Sequence, residues 1–540
     1  MIRKNFALVI CAVLLVLSQA QRLAAQEPEK SEKTEKEAKP ADAKQSPEAP
    51  APKEESSVTD HSIKIGGQII GYKATASTTL IKDDKGEPTA SIFSIAYTRS
   101  DAKDEGKKDK DNNNTRDLSQ RPIAFVYNGG PGSSSIWLHM GAFGPRRVIT
   151  ADASPTPPPP FKMVDNAECL LDKTDLVFID PVGTGFSRAV GKAKDKDFWG
   201  IDQDVKSLAQ FVATYVNRNG RWNSPKFLIG ESYGTFRSAA LGNYLQQHNG
   251  MYFNGIVLIS SVLDLGTISF PPGNDMPYVF YLPSYAATAA YHKMLKSPPA
   301  DLNAFLVEAR QFASTEYAGA LMKGDGISSA EKADIAKKVS RFTGLSEDYL
   351  VKADLRVNLP QFMVELQRSR KLSTGRLDAR FSGPATDLLA EYADYDPQST
   401  AVEGAFVAAF NGYVREDLKF GKDLTYNTLS EDANRQWDWK RTGHEREYGF
   451  PGAPNVEPDL VEALVTNPHL HVEVENGLYD LATPFLATEY TMGHLGLPEN
   501  LQQNIKLQYY DAGHMMYLHE ADLAKLKANI AMFLDDATKQ

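Results

Sequence analysis

The chain has 540 residues, of which 42% are hydrophobic and 24% charged, and its formal net charge is -10. This length and composition indicate a large globular protein, built as one big domain with an insertion or as a few smaller domains. The acidic balance argues against a nucleic-acid binder, which would present a basic patch, so we predict no nucleic-acid partner.

Residues 1–25 have the pattern of a secretory signal peptide. Two basic residues, Arg3 and Lys4, precede an apolar run over 6–17, and small residues follow, so we expect cleavage after Ala20 or Ala25. The run is short for a bilayer, which needs about 20 apolar residues, and an uncleaved anchor is the alternative. We therefore predict a secreted or periplasmic protein with no stable membrane insertion after cleavage.

Once the signal peptide is removed, Cys169 is the only cysteine left, so no internal disulfide can form. We interpret Cys169 as a buried, inert thiol. A nucleophilic role is the alternative, but nothing around Cys169 resembles a cysteine-hydrolase signature.

The N-terminal part of the mature chain changes character twice. Residues 26–57 consist mainly of Lys, Glu, Pro, Ala and Ser, which predicts a disordered linker. Alternating patterns over 63–65 and 91–98 then predict strands, with a turn at 83–86. The charged stretch 101–118 is predicted to be a solvated loop.

A series of short apolar runs predicts a buried sheet. The predicted strands are Ile123–Tyr127, Leu176–Ile179, Lys226–Ile229, Ile256–Ile259, Leu470–Val474 and Ile505–Tyr509. Residues 202–217 between them have helical spacing, and alternation of strand and helix predicts a mostly parallel central sheet with helices on both faces. Residues 270–425 break this rhythm with helical patterns over 301–312, 328–339 and 359–366. We therefore predict an α/β core over 58–269 and 426–540, with an inserted helical cap over 270–425.

The run from Lys226 ends in the five residues Gly230 to Gly234, with Ser232 at their centre, and a helical pattern follows. A strand, a tight turn with glycines at both ends and a helix form the nucleophile elbow, which exposes the serine at the edge of a sheet. We predict that Ser232 is a catalytic nucleophile. An incidental serine in a turn is the alternative.

A serine hydroxyl needs a base to take its proton and an acid to orient that base. In hydrolases whose nucleophile lies on such an elbow, the chain order is serine, then an acid, then histidine, and each residue lies just beyond a strand. Asp480 follows the strand at 470–474 and His514 follows the last strand, so these two complete the predicted triad. His469 and His471 could share a face, but no third ligand is nearby, and we predict neither a metal site nor a cofactor.

A glycine cluster, Asn128-Gly-Gly-Pro-Gly-Ser-Ser-Ser135, follows the strand at 123–127. Such a loop can turn backbone N–H groups towards a reacting carbonyl and stabilise its oxyanion. A plain turn and a phosphate loop are the alternatives, but a phosphate loop would need a lysine beside the glycines, and none is present.

The sequence resembles the serine carboxypeptidase family in four segments, in order. These are 128–135 with Gly144-Pro145 downstream, the segment Val177-Phe-Ile-Asp-Pro-Val-Gly-Thr-Gly-Phe-Ser187, the elbow 230–234, and the pair formed by Gly477 to Asp480 with Gly513-His514-Met515. The resemblance implies an α/β-hydrolase fold and a peptide substrate cleaved at its C terminus through an acyl-enzyme on Ser232.

The family also implies roles for further positions. The backbone N–H groups of Gly130 and Tyr233 would form the oxyanion hole. Asn128 and Glu231 would hydrogen-bond the terminal carboxylate of the substrate, and Met515 would line the leaving-group pocket. Two ionised carboxylates repel, so Glu231 would have to be protonated for this role, which predicts tighter peptide binding at acidic pH.

The chain departs from the family at several positions. A family glutamate that supports the carboxylate site is replaced by Ala142, a loop cysteine is replaced by Ser133, and the elbow ends in Tyr233-Gly234 where relatives have Tyr-Ala-Gly. Carboxylate recognition is left with fewer groups, so a serine esterase or acyltransferase with the same triad is an alternative function. A non-catalytic binding protein on a hydrolase fold is a more remote alternative.

Overall fold

The computed structural model describes residues 52–100, 119–441 and 452–539. The predicted signal peptide, most of the predicted linker and the predicted loop 101–118 lie outside the described residues. The first strand begins at Ser56, inside the stretch predicted as linker and earlier than the alternating pattern at 63–65 indicates. No helix among the described residues is both long and apolar enough to cross a membrane.

The strands, numbered in chain order, are β1 Ser56–Ile65, β2 Gln68–Lys82, β3 Pro88–Ser100, β4 Ile123–Tyr127, β5 Arg146–Val148, β6 Met163–Asp165, β7 Asp175–Ile179, β8 Arg188–Ala189, β9 Lys226–Glu231, β10 Gly255–Ile259, β11 Leu372–Thr374, β12 Ser382–Pro384, β13 His471–Gly477 and β14 Ile505–Tyr510. Each of the predicted strands is present, whereas β2 and the short strands β5, β6, β8, β11 and β12 have no counterpart in the sequence prediction.

The α-helices are α1 Ile201–Arg218, α2 Tyr233–Asn249, α3 Met276–Tyr291, α4 Leu302–Phe312, α5 Ala318–Leu321, α6 Ser329–Thr343, α7 Glu347–Lys352, α8 Leu359–Glu365, α9 Pro397–Glu416, α10 Glu431–Arg435, α11 Glu457–Thr466, α12 Phe485–Gly493, α13 Glu499–Gln502 and α14 Glu520–Ala537. Leu138–Phe143 and Ala313–Tyr317 are π-helical. Short 3-10 segments span Leu170–Asp172, Asp195–Phe198, Leu265–Thr267, Gly324–Gly326, Arg368–Arg370 and Met516–Leu518.

One large sheet has the strand order β1-β2-β3-β7-β4-β9-β10-β13-β14, and β8 pairs with β3. The pairs from β1 to β7 are antiparallel, and all pairs from β7 to β14 are parallel. Because the carboxyl ends of parallel strands meet at one edge, the loops after β4, β9, β13 and β14 converge there.

Both faces of the parallel part are covered. All five side chains of β4 are buried, and they alternate between two hydrophobic cores. One core contains residues of α9 and α14, and the other contains residues of α1, α2 and α11. A strand buried on both faces reads as a continuous apolar run, which is why β4 is visible in the sequence. The predicted fold class is confirmed.

The helical region, which is the part of the chain predicted as a cap over 270–425, has a hydrophobic core of its own. This core unites α3, α4, α6 and α8 with buried residues of the segment 478–487. Helix α9 differs, because Phe406, Phe410 and Tyr413 pack into the core of the sheet. The predicted division of the chain at residues 270 and 425 stays a prediction.

Candidate active site

The turn between β9 and α2 has the geometry of a nucleophile elbow. Ser232 has φ 61° and ψ −129°, a left-handed backbone conformation that costs a non-glycine residue of the order of 1–3 kcal/mol. Space around the turn requires glycine at Gly230 and leaves little room for a side chain at Gly234. A Cβ on Gly230 would lie 2.2 Å from the carbonyl oxygen of Gly234, and one on Gly234 would lie 3.0 Å from that of Tyr127. The sequence therefore folds tightly enough to hold Ser232 at the tip of the turn.

Asp480 and His514 are in direct contact. The carboxylate oxygen Oδ2 of Asp480 lies 2.7 Å from Nδ1 of His514, and both residues are buried. Asp480 also accepts hydrogen bonds from the backbone N–H groups of Ala482 and Thr483 and from the Thr483 hydroxyl, at 2.7–2.9 Å. A carboxylate at Nδ1 holds the proton on that nitrogen and leaves Nε2 as the acceptor.

The environment of His514 favours its protonated form. Burial alone would lower the pKa of the imidazole, but the charge of Asp480, their hydrogen bond and the charge of Glu231 outweigh it. The net result is a pKa raised above the ordinary 6.5. A histidine with a raised pKa is a stronger base when it is neutral.

Ser232 and His514 are connected through the turn after β10. The N–H of Ser232 donates to the carbonyl of Ile259 at 2.9 Å, and the hydroxyl of Ser260 donates to the carbonyl of His514 at 2.7 Å. Among the described residues, the Ser232 hydroxyl and the His514 ring form no direct hydrogen bond. Such bonds are often long or poorly aligned before a substrate binds. The proton-transfer contact between them stays a prediction.

The glycine loop after β4 lies against the elbow. A Cβ on Gly129 would come within 2.4 Å of the backbone nitrogen of Tyr233, so only glycine permits this approach. Gly130 has φ 102°. Among the hydrogen bonds of the described residues, the N–H groups of Gly130 and Tyr233 have no acceptor. Two unpaired amides on adjacent loops are what a developing oxyanion requires, but that role stays a prediction.

Glu231, the residue before the nucleophile, is buried and 4% exposed. The pKa of its carboxyl is raised from 4.5 to about 7, mainly by burial and to a smaller extent by the charge of Asp480. Three neighbours act in the opposite direction, namely His514 through its charge and Tyr517 and Asn128 through their side chains. At neutral pH the carboxyl is therefore divided between its neutral and ionised forms.

Tyr517 was missed by the sequence prediction. Its hydroxyl donates to Oε2 of Glu231 at 2.8 Å. Its ring occupies the space beside Gly141, where a Cβ would come within 2.6 Å of the ring carbon Cε2. Gly141 precedes Ala142, the position where relatives have a glutamate. A tyrosine from the distant C-terminal part of the chain thus supplies a polar partner for Glu231.

The other residues of the predicted substrate site are also buried. Oδ1 of Asn128 accepts the N–H of Leu138 at 3.0 Å. The amide nitrogen of Asn128 makes no well-aligned hydrogen bond, although it is close enough to Glu231 to lower the pKa of that carboxyl. Met515 receives a hydrogen bond on its sulfur from Nε2 of Gln398 at 3.0 Å. Ala142 contributes only its methyl group to the hydrophobic core and its carbonyl to Asn166.

Arg237 binds the first residue of the glycine loop through its side chain. The guanidinium is completely buried, and it donates to Oδ2 of Asp204 and to the backbone carbonyl of Asn128, both at 2.6 Å. It also lies over the rings of Tyr127 and Tyr233. An arginine within an otherwise apolar stretch after the elbow was the available sequence signal for this contact.

Two of the family motifs meet at Asp180. Its Oδ1 accepts hydrogen bonds from both the backbone N–H and the hydroxyl of Ser135, at 2.8 and 2.9 Å. Gly185 must be glycine, because a Cβ there would come within 1.7 Å of Oδ2 of Asp180. The residues 183–185 therefore form a structural turn that fixes the glycine loop.

A segment from the helical region, residues 375–381, lies between the two loops that carry Asp480 and His514. The carbonyl of Leu377 accepts the N–H of His514 at 2.6 Å, and the carbonyl of Arg376 accepts that of Leu481 at 3.0 Å. A Cβ on Gly513 would lie 2.4 Å from Cα of Asp378. The position of the histidine thus depends on the helical region as well as on the sheet.

Other candidate groups lie apart from this arrangement. Cys169 is buried, and burial raises the pKa of its thiol to about 12. His469 is exposed and His471 begins β13. Over 52–100, 119–441 and 452–539, no cluster of three or more His, Cys, Asp or Glu side chains could hold a metal ion. The sheet order and the elbow at Ser232 define the fold as that of the α/β-hydrolases, and the triad of Ser232, Asp480 and His514 stays a prediction.

Comparison with known proteins shows which hydrolases part of this chain resembles. The family model "Serine carboxypeptidase" matches residues 112–270. The pheromone-processing carboxypeptidase KEX1 of Saccharomyces cerevisiae is 27% identical over 194 residues, which are 33% of this chain and 25% of the yeast protein. The match therefore spans only about a quarter of the yeast relative. The resemblance to the serine carboxypeptidase family is confirmed, and the matched residues 112–270 include the glycine loop and the elbow around Ser232.

Solved structures with a similar course of the chain include other hydrolases. Proline iminopeptidase of Mycobacterium smegmatis has a TM-score of 0.34 and 14% identity, with 86% of this chain and 98% of that one covered. The peroxisomal α/β-hydrolase Lpx1 of Saccharomyces cerevisiae has a TM-score of 0.34 and 11% identity, with 89% of both chains covered. Values this low say nothing about function.

Proposed function

We propose that this protein is an exported serine-type carboxypeptidase, which hydrolyses C-terminal peptide bonds through an acyl-enzyme formed on Ser232. The observation that carries the proposal is the Glu231 carboxyl, buried beside the triad with its pKa raised to about 7. A carboxyl that stays protonated near neutrality can donate a hydrogen bond to the terminal carboxylate of a peptide. An ordinary esterase has no need for such a group. Export is proposed from the signal-peptide pattern at the N terminus.

In the acylation step, Nε2 of His514 takes the proton from the Ser232 hydroxyl as Oγ attacks the scissile carbonyl carbon. The oxyanion that forms accepts hydrogen bonds from the N–H groups of Gly130 and Tyr233. The carboxylate of Asp480 stabilises the imidazolium. When the C–N bond breaks, His514 gives its proton to the leaving amine, and the C-terminal amino acid departs.

In the deacylation step, water enters the position of the departed amine and loses a proton to His514. The hydroxide oxygen bonds to the acyl carbon, the ester bond to Ser232 breaks, and His514 returns the proton to Oγ. The shortened peptide leaves with a new carboxylate. The strained turn at Ser232 keeps Oγ in the attacking position throughout, so little reorganisation is required.

Terminal selectivity comes from a small polar cluster next to the nucleophile. Protonated Glu231 donates to the substrate carboxylate, and the amide nitrogen of Asn128, which lacks a well-aligned partner, donates a second hydrogen bond. Tyr517 holds Glu231 in place. A buried polar site of this kind rejects a substrate without the carboxylate, because its own groups are then left unpaired.

A serine esterase or acyltransferase is the second candidate function, and Ala142 is the observation that favours it. The position holds only a buried methyl group, so the cluster has one acid fewer than the family pattern. If Tyr517 does not compensate for that loss, small esters without a free carboxylate are the better substrates.

The test is mass spectrometry of a mixed peptide pool after incubation with the mature protein. The proposal predicts stepwise loss from free C termini and no cleavage of the same peptides with amidated ends. Labelling with a fluorophosphonate is measured in parallel, with Ser232→Ala as the matched control. Hydrolysis of p-nitrophenyl esters without loss from any free peptide would favour the esterase. A chain whose Ser232 does not react at all would contradict both functions.

A further inference from the structure

Arg376 is fixed at the candidate active site through its backbone. Its N–H donates to Oδ2 of Asp396 at 2.7 Å, and its carbonyl accepts the N–H of Leu481, the residue after Asp480. The carbonyl of the next residue, Leu377, accepts the N–H of His514. These hydrogen bonds leave the main chain at Arg376 little freedom relative to the triad.

The side chain of Arg376 is exposed, and its guanidinium forms no ion pair or hydrogen bond with any described residue. Arg380, four residues later, shows the contrast. Its guanidinium is buried and paired with Asp378 and Asp152. Arg380 therefore has a structural function within the segment, whereas the guanidinium of Arg376 is left available for another molecule.

The charge of Arg376 reaches the catalytic centre. It opposes the rise in the pKa of His514, and it opposes the rise in the pKa of the buried Tyr281 as well. The side chains that act most strongly on Glu231 are His514, Tyr517, Asp480 and Asn128. Arg376 is not one of these four side chains.

We infer that Arg376 is a specificity-determining residue that binds an acidic side chain next to the scissile bond, a role that rests on the proposed carboxypeptidase function. An unpaired guanidinium matches the planar geometry of a carboxylate. The protein carries a formal net charge of -10, so it repels acidic peptides unless a local cation offsets that field. The acidic residue can be the leaving amino acid or the residue before it.

The test compares peptides in pairs with Glu or Gln at the last position and, separately, at the position before it. We expect kcat/KM to favour Glu by about fivefold at one of the two positions, the magnitude of a partly exposed ion pair. The position that shows the preference identifies the source of the carboxylate. Arg376→Gln abolishes the preference, and Arg376→Lys retains part of it. Lys371→Gln is the control, since it removes a charge from an exposed residue of the same region.

Two results would overturn the inference. One is a wild-type protein that cleaves the Glu and Gln peptides equally well at both positions. The other is an Arg376→Gln variant that loses the same factor on all free peptides, which would assign Arg376 to the terminal carboxylate. Binding of the same peptides to a Ser232→Ala variant, measured by calorimetry, gives the preference without turnover. A Glu preference in binding without any cleavage would sustain the role of Arg376 and contradict the proposed peptidase activity.

Discussion

Replacing Glu231 by Gln tests whether the protonated form of this carboxyl is the one that binds peptide. The amide keeps a donor for a substrate carboxylate and an acceptor for the Tyr517 hydroxyl, which bonds Oε2 of Glu231 at 2.8 Å. Unlike the carboxyl, the amide does not titrate. The variant should therefore bind peptides at pH 8 as well as it does at pH 6, whereas the wild-type protein should not.

The magnitude follows from the raised pKa of Glu231. With a pKa of about 7, almost every carboxyl is protonated at pH 5, half are at pH 7, and about one tenth are at pH 8. If only the protonated form binds the carboxylate, the dissociation constant rises about tenfold between pH 5 and pH 8, or about 1.4 kcal/mol. The substrate carboxylate stays ionised throughout this range, so its own titration contributes nothing.

The assay measures equilibrium binding of a blocked dipeptide to two inactive proteins, Ser232→Ala alone and Ser232→Ala with Glu231→Gln. Inactive proteins are necessary because KM equals a dissociation constant only when chemistry is slow. Both keep His514, so a contribution from protonation of the imidazole appears in both and cancels in their difference. The amidated dipeptide serves as the control ligand, and its affinity should not follow the pH dependence of the wild-type carboxyl.

Two results would refute the reasoning. If the dissociation constant with Glu231 present does not change between pH 5 and pH 8, the carboxyl does not contact the substrate in its protonated form. If both proteins show the same tenfold change, His514 or another shared group is responsible. The kinetic profile of the active protein adds a check, because kcat should fall towards acidic pH as His514 loses its function as a base, while KM falls as well.

Two further predictions concern buried carboxyls. Tyr517→Phe removes a hydrogen bond that favours the ionised form of Glu231. The pH midpoint of peptide binding should therefore shift upward by up to about one unit. An unchanged midpoint would show that the Tyr517 hydroxyl does not influence the pKa of the Glu231 carboxyl. Glu475 lies buried in β13, where burial raises its pKa from 4.5 to about 8 despite a hydrogen bond from Tyr510. Its folded-state pKa exceeds the unfolded value, so stability is lost as pH rises from about 4.5 through 8. Glu475→Gln should reduce this loss, with a larger gain in thermal unfolding temperature at pH 9 than at pH 6, and equal gains at both values would contradict the assignment.

Local sequence patterns explain why Ser232, Asp480 and His514 could be proposed as a triad from the sequence. The elbow needs only a buried strand, two glycines around Ser232 and a helix, all within one short stretch of chain. Asp480 and His514 each follow an apolar run directly, and the parallel sheet brings such loops to one edge. The sheet itself was visible because strands such as β4 are buried on both faces and read as unbroken apolar runs.

Contacts between distant parts of the chain explain what was missed. Tyr517 comes from the 3-10 segment after β14, and nothing near it in the sequence indicates that its hydroxyl meets Glu231. The contacts of Arg237 were also missed, because its ion pair with Asp204 depends on how α1 and α2 pack against each other. Strand β2 was missed although its buried residues alternate with more exposed ones, because two of the four buried residues in this alternation, Ala74 and Ala76, are small and weakly hydrophobic.

The backbone hydrogen bonds of the segment 375–381 restrict how this protein could be re-engineered. Excising residues 270–425 would leave the buried N–H groups of His514 and Leu481 without acceptors, at roughly 1–3 kcal/mol each, and would destroy the site with every triad residue intact. A graft of a foreign helical region would fail for the same reason unless it reproduced these acceptors. Changes of selectivity are therefore best sought in single exposed side chains, whose replacement leaves the scaffold of the imidazole untouched.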